Sequence, residues 1–181
     1  MLYLTEADLL TYLKDDQFDL ITQNDDANLL RVEQAAKEEM AAYLTARYNV
    51  AKIFIDVSPW LATKNYLVGN HAFDEINQKV RISIQDHQNQ PIDDDNYWKD
   101  GDERNAVIIQ LLAYITIYHL YQNINPRMVP ESRLVNYDSA KLWLRDCARL
   151  IINPELPKLT EKTDRVEYVA YGGNTKRELR Y

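Results

Sequence analysis

Residues 104–123, RNAVIIQLLAYITIYHLYQN, restrict the fold more than any other stretch of this chain. Apolar or aromatic side chains stand at Ala106, Val107, Ile108, Ile109, Leu111, Leu112, Ala113, Tyr114, Ile115, Ile117, Tyr118, Leu120 and Tyr121. On a helix the first half of this run is apolar on every side, and only Thr116, His119 and Asn123 begin a polar line in the second half. A helix without a polar face must be enclosed by other helices, by a neighbouring subunit or by lipid. Lipid fits worst, because the run falls short of the roughly 20 apolar residues a bilayer needs and is interrupted by Gln110, Thr116 and His119. Each buried Ile or Leu contributes about 1.5–3 kcal/mol. The segment is therefore expected to be the main source of burial, either as an ordinary core helix or as a helix half in the core and half in a subunit interface.

The remainder of the chain reads as helices interrupted once by strands. Thr5 can cap a short helix reaching about Lys14, with Asp8 at its third position and Leu4 stapling to Leu9. Residues 15–26 are rich in Asp and Asn, the composition of turns and helix starts. From Ala27 to Tyr48, Leu29, Val32, Ala36, Met40, Tyr43 and Leu44 recur at helical spacing, and Ala35, Ala36, Ala41, Ala42 and Ala46 offer room for a close neighbour. Residues 52–57 and 79–85 alternate with period two and are β-branched, so each reads as a strand and the two are expected to pair. The long helix stops before Pro126, and another is expected from Asn136, with Ala140, Trp143, Leu144, Cys147 and Ile151 on one face.

The expected architecture is mainly α: a small helical bundle around one central hydrophobic helix, with a β-containing insertion at about residues 50–102. Residues 1–153 make the helical domain, and residues 154–181 make an extended C-terminal arm. That arm carries more positive charge than the body: residues 171–181 hold three basic side chains against one acidic, while the whole chain is formally -7. An arm of this kind can order on a partner by strand addition, with Arg and Tyr as anchors. The acidic body opposes duplex DNA binding, which depends on phosphate neutralisation by clustered cations. A single cysteine, Cys147, excludes an intrachain disulfide. The opening residues carry no basic stretch followed by an apolar run, so a soluble intracellular chain is expected.

Little in the sequence assembles catalytic chemistry. Asp93, Asp94, Asp95, Asp100, Asp102 and Glu103 form a dense acidic stretch able in principle to hold Mg²⁺ or Ca²⁺. An EF-hand starting at Asp95 fails, because Tyr97 and Trp98 take its third and fourth places and Arg104 its twelfth. His71, His87 and His119 have no neighbouring ligand at zinc spacing, and Gly172-Gly173-Asn174 lacks the frame of a phosphate loop. Tyr114, Tyr118 and Tyr121 share one side of the long helix and read as core with a polar edge. No cofactor and no metal site is expected.

The segments Tyr3-Leu4-Thr5-Glu6-Ala7-Asp8-Leu9, Ala46-Arg47-Tyr48-Asn49-Val50, Arg104-Asn105-Ala106 through Leu120 and Ile124-Asn125-Pro126-Arg127 together resemble a family of tailed-phage and prophage proteins, the Mu-like head–tail connectors. Asn136-Tyr137-Asp138-Ser139-Ala140, Asn153-Pro154-Glu155-Leu156-Pro157 and Tyr171-Gly172-Gly173-Asn174-Thr175-Lys176-Arg177 extend the resemblance to most of the chain outside residues 58–99. It implies a non-enzymatic virion subunit, assembled in the host bacterial cytoplasm, that forms a ring under the capsid portal. The ring links the portal to neck or tail-completion proteins and lets DNA pass, without sequence-specific nucleic-acid binding and without a membrane. Carried onto this chain, portal docking falls on Tyr168, Tyr171, Gly172, Gly173, Asn174, Lys176, Arg177, Arg180 and Tyr181. Contacts between subunits fall on Thr116, His119, Asn123 and Arg127. The segment 58–99 is longer than the family leads one to expect. Two other readings are a metal-dependent phage nuclease using Asp93, Asp95, Asp100, Asp102 and Glu103, and a small helical protein-interaction domain.

Overall fold

A computed structural model describes residues 3–159 and shows a helix-rich mixed fold. Its α-helices are α1 (Glu6–Leu10), α2 (Asp15–Thr22), α3 (Asp26–Leu44), α4 (Val50–Ile53), α5 (Ala106–Ile124) and α6 (Glu131–Ala148). The strands β1 (Asn65–Tyr66), β2 (His71–Asp74), β3 (Lys79–Ser83), β4 (His87–Gln88) and β5 (Trp98–Asp100) all lie between α4 and α5. The portal-docking residues expected from Tyr168 to Tyr181 lie outside the described residues.

The hydrophobic segment is the central helix. α5 is packed by α1, α2, α3 and α6, and α3 also packs on α6. By length and composition alone α5 could cross a membrane, yet Ile108, Leu111, Leu112, Ala113, Ile115, Thr116, Ile117 and Leu120 are all buried within the fold. Burial does not divide the helix into a core half and a boundary half. Its first turn is open, with Val107 42% exposed, and its middle is enclosed. Three fully buried alanines, Ala36 on α3, Ala113 on α5 and Ala140 on α6, leave room for close helix approach. Ala35, Ala42 and Ala46 face solvent, so of the five alanines noted on α3 and just beyond it only Ala36 is fully buried.

Local chemistry sets the helix ends. Thr5 and Asp8 form a reciprocal capping box on α1, as expected from their spacing. Asp25 caps α3 and Asn105 caps α5, each accepting from two backbone N–H groups. Asp15 and Asp16, expected to fill a turn or a helix start, open the helix α2, which contributes Ile21 to the core. α6 begins five residues earlier than expected, directly after Pro130, so the Asn136-to-Ser139 run is helix interior. There Ser139 Oγ donates to the Val135 carbonyl at 2.8 Å, the back-bond that lets serine sit within a helix.

The strand expected at residues 52–57 does not form. Asn49 accepts from Lys52 N at 3.2 Å and starts the single turn α4, which places Ile53 and Phe54 in the main core. The second expected strand is β3, and it pairs antiparallel with β2 on one side and β5 on the other. The register sets His71 opposite Ile82 and Arg81 opposite Asp100. β1 and β4 make a separate ribbon. The outer edge of β2 is closed by residues 58–60, because Phe73 N donates to the Ser58 carbonyl and Trp60 N to the Phe73 carbonyl, both at 3.1 Å. Tyr66, Ala72 and Trp98 give this region a small core of its own, with Trp60, Ile92 and Tyr97 packed against it. At the other end of the chain the helical core continues past residue 153, since Leu156 is buried in it and Leu159 N donates to the Arg47 carbonyl at 3.0 Å.

Candidate functional site

The polar side chains of the second half of α5 meet α3 and α6 in one cluster. Glu39, one turn before the end of α3, is its centre: Oε2 lies 2.8 Å from His119 Nε2, while Oε1 accepts from Tyr137 at 3.0 Å and sits 2.8 Å from Lys141 Nζ. Tyr137 stacks on Tyr118 with ring centroids 4.0 Å apart and an angle of 12° between planes. Gln122 closes the edge by donating to the Tyr118 hydroxyl at 2.6 Å. Partial burial pushes Glu39 up, but donors from Lys141, His119 and Tyr137 outweigh it and hold the carboxyl below the usual range. The hydrogen bond to Glu39 raises Lys141 in turn, so its amine stays charged and is no nucleophile. The cluster joins three helices through one carboxylate; it has no vacant base and no activated nucleophile.

The four residues expected at a subunit boundary therefore fall into three environments. Thr116 is fully buried, and its hydroxyl has no partner among the described residues, so it is core and not surface. The reason is that α5 is flanked on several sides, and a line running from residue 116 to 123 passes from beneath the neighbouring helices into the open. His119 is partly exposed and occupied by Glu39. Asn123 and Arg127 are exposed, at the corner where α5 gives way to a short 3-10 turn, Pro126–Met128, and then to α6. Around this corner Ile124 is 41%, Leu134 43% and Val135 55% exposed. The isolated chain thus leaves apolar side chains uncovered beside two exposed polar ones.

The acidic stretch is used internally. Asp95 pairs with Arg81 Nη2, and Asp100 lies 3.0 Å from Arg81 Nε and 3.1 Å from Lys79 Nζ. Asp102 grips Arg104 through both oxygens, at 2.9 Å to Nε and 2.7 Å to Nη2. Burial pushes Asp102 up, and the Arg104 bonds reverse this and hold it low. Asp94 accepts from the backbone and side chain of Asn96, making a turn, and Asp93 is exposed. Among the described residues no group of three or more His, Cys, Asp or Glu side chains is placed to hold a metal.

The three histidines do not converge on one site. His71 is buried, with Nε2 3.9 Å from Glu103, whereas the ring of His87 packs against Tyr66 and Trp98 of the small core, at centroid distances of 5.5 and 4.8 Å. Burial lowers both below the ordinary imidazole value. Cys147 is buried in the helical core, and burial pushes its thiol up to about 11, far from a reactive thiolate. Tyr114 packs edge-on to Tyr12 at 5.1 Å and accepts from Gln110, as a core ring with a polar edge does. Compared with family models, with curated proteins and with solved structures, the chain matches none.

Sequence reasoning missed Glu39 as the partner of His119, and Lys141 as the second cation on Glu39. Their spacing within α3 and α6 marks only two exposed faces, and nothing in the sequence sets the rotation of one helix against another. Arg104 heads the apolar run of α5, and that run was the signal in the sequence for its burial.

Proposed function

We propose that the chain is a structural head–tail connector subunit, a small helical bundle around α5 that joins a ring beneath a capsid portal and links it to the neck or tail. The observation that carries this reading is how the polar and apolar groups are distributed. Asp95, Asp100 and Asp102 of the acidic stretch sit in ion pairs, His119 is held by Glu39, and His71 and His87 are packed inside the fold, while the α5–α6 corner leaves Ile124, Leu134 and Val135 uncovered next to Asn123 and Arg127. A ring needs heterologous contacts between copies that close by rotation, and an uncovered apolar corner is suited to one. The acidic chain favours a conduit that DNA traverses without adhering, since like charges repel.

The C-terminal arm, Tyr168 to Tyr181, is assigned here to the portal, with Tyr and Arg side chains as anchors. Deleting residues 172–181 tests the assignment. The truncated protein should keep its helical circular dichroism and solubility but fail to join portal-containing heads in a complementation assay. Normal joining by the truncated protein would sink the arm assignment, and Mg²⁺-dependent DNA cleavage by the full chain would replace the whole reading with the nuclease one.

A further inference from the structure

An open groove of about 260 Å³ lies between the starts of α1 and α3 and the edge of the β2–β3 hairpin. Its floor is apolar, formed by the buried Leu4, Leu29 and Val57, and Leu30, 36% exposed, stands at its side. Its rim is acidic. Glu6, Asp26 and Glu75 line it from three separate elements, and no Lys or Arg does. Among the described residues none of these three carboxylates has an ion-pair partner. Glu6 and Asp26 each gain from a helix N-terminus, but Glu75 stands in the hairpin turn after β2 and has no such reason to be there. An apolar slot under unpaired negative charge fits a peptide that carries an apolar anchor between cations.

This chain contains such a peptide. Its last six residues are Lys176-Arg177-Glu178-Leu179-Arg180-Tyr181, with Leu179 set among three basic side chains. The described chain ends at Leu159, held by Arg47 just beyond the C-terminal end of α3, and the groove lies at the other end of that helix. α3 has 19 residues and spans roughly 28 Å at 1.5 Å per residue. The 20 residues from Leu159 to Leu179 can reach at most about 70 Å, so the groove is within range of the same molecule. A tethered segment meets its site at an effective concentration of order millimolar, which favours the same chain over a second copy.

We propose that the groove seats the chain's own residues 176–181 in cis, with Leu179 over the apolar floor and Lys176, Arg177 and Arg180 against the acidic rim. The proposal goes beyond the connector reading and does not depend on it. Where both hold, the segment assigned to the portal is occupied in the free subunit and must be displaced on docking.

The full-length protein carrying Leu30→Cys and Leu179→Cys tests this, since the native Cys147 is buried. Oxidised glutathione should close an intramolecular disulfide at least tenfold faster in this pair than in a control pair, Leu134→Cys with Leu179→Cys. The product should run as a monomer on a non-reducing gel. Raising the salt to 0.5 M, adding the free six-residue peptide, or adding Glu75→Lys in the exposed turn should each slow closure several-fold. Equal rates in the two pairs, disulfide-linked dimers, or a rate indifferent to salt and to Glu75→Lys would each overturn the proposal. Unlike the portal assignment, this measurement involves no portal, so the two fail separately.

Discussion

The guanidinium of Arg104 donates to the main-chain carbonyl of Tyr3 at 2.5 Å, across 101 positions of sequence. The same nitrogen lies 2.6 Å from Asp8, the Asp102 carboxylate takes the other side, and the Arg104 side chain is 3% exposed. The amino-terminal segment, the capping box of α1 and the entry to α5 are thereby fixed to one another by a single planar cation. Neighbouring Glu33 adds to the same junction by accepting from Tyr3 N at 2.6 Å and Leu4 N at 2.9 Å.

Removing one partner of a buried ion pair leaves the other uncompensated, at a cost of about 3–5 kcal/mol. Arg104→Met should therefore lower the urea midpoint by an amount equivalent to about 3 kcal/mol. Arg104→Lys should recover little of it, because an ammonium cannot reproduce the fork that contacts Asp102 and Tyr3 together. Equilibrium urea unfolding followed by circular dichroism measures both. A lysine variant as stable as the wild type would show that charge alone holds this junction.

The sign of the pH dependence follows from the buried imidazoles. Burial lowers His71 against the opposing pull of Glu103 and Asp102, and it lowers His87 as well. A group whose folded value is depressed contributes stability that is present above its unfolded value and lost as the pH falls through the folded one. For these histidines the loss begins near an unfolded value of about 6.5, well before the carboxylates respond. Glu39, Asp56, Asp74 and Asp102 are held low, so their contribution is lost in a second stage below about pH 4. Thermal unfolding between pH 8 and pH 3 should show both stages, and His71→Gln should reduce the first and leave the second.

The Glu39 cluster is where the folded chain tests the interface expectation most directly. Hydrogen bonds to a charged group contribute about 1.5–3 kcal/mol each when made and broken in isolation, and those to Glu39 are partly exposed, so Glu39→Gln should cost about 1–2 kcal/mol. His119→Glu sets a second carboxylate against the first and should destabilise the subunit itself, whereas an exchange at Asn123 or Arg127 to Glu should leave unfolding unchanged and reduce assembly. Leu112→Glu, in the closed middle of α5, should abolish folding. Sedimentation and thermal unfolding of the five variants separate the two effects.

What the sequence made legible was whatever depends on short-range periodicity. The capping box at Thr5, the stripe of α3, the enclosed α5 and the alternation of β3 all follow from side chains within one or two turns of each other. Residues 52–57 misled because Ile53, Ile55 and Val57 alternate as a strand does, while the cap supplied by Asn49 and the burial of adjacent Ile53 and Phe54 against the body decide for a helical turn. The short strands β1, β2, β4 and β5 have two to four residues each, too few for a period to emerge. Thr116 was misplaced for a different reason: a helical line gives relative angle, and only the positions of α3 and α6 decide which angle faces water. The Glu39 cluster and the acidic groove depend on contacts between elements far apart in sequence, and no local pattern encodes them.

The end of α6 supplies a prediction of opposite sign. Ile151 N donates to the Asp146 carbonyl at 2.9 Å and Leu150 N to the Cys147 carbonyl at 3.2 Å, the pair of bonds that defines a Schellman termination. That motif needs a left-handed residue after the cap, and Leu150 takes it with φ of 63°. A side chain with a Cβ pays roughly 1–2 kcal/mol for this conformation, and glycine does not. Leu150 is 54% exposed, so little burial is lost on removing it. Set against the larger entropy of glycine in the unfolded chain, about 0.5–1 kcal/mol, Leu150→Gly should leave a net stabilisation of about 0.5 kcal/mol, while Leu150→Ala should be neutral or slightly destabilising. Thermal unfolding of the two variants side by side measures the difference, and an alanine variant more stable than the glycine one would mean that Leu150 is not held left-handed in solution.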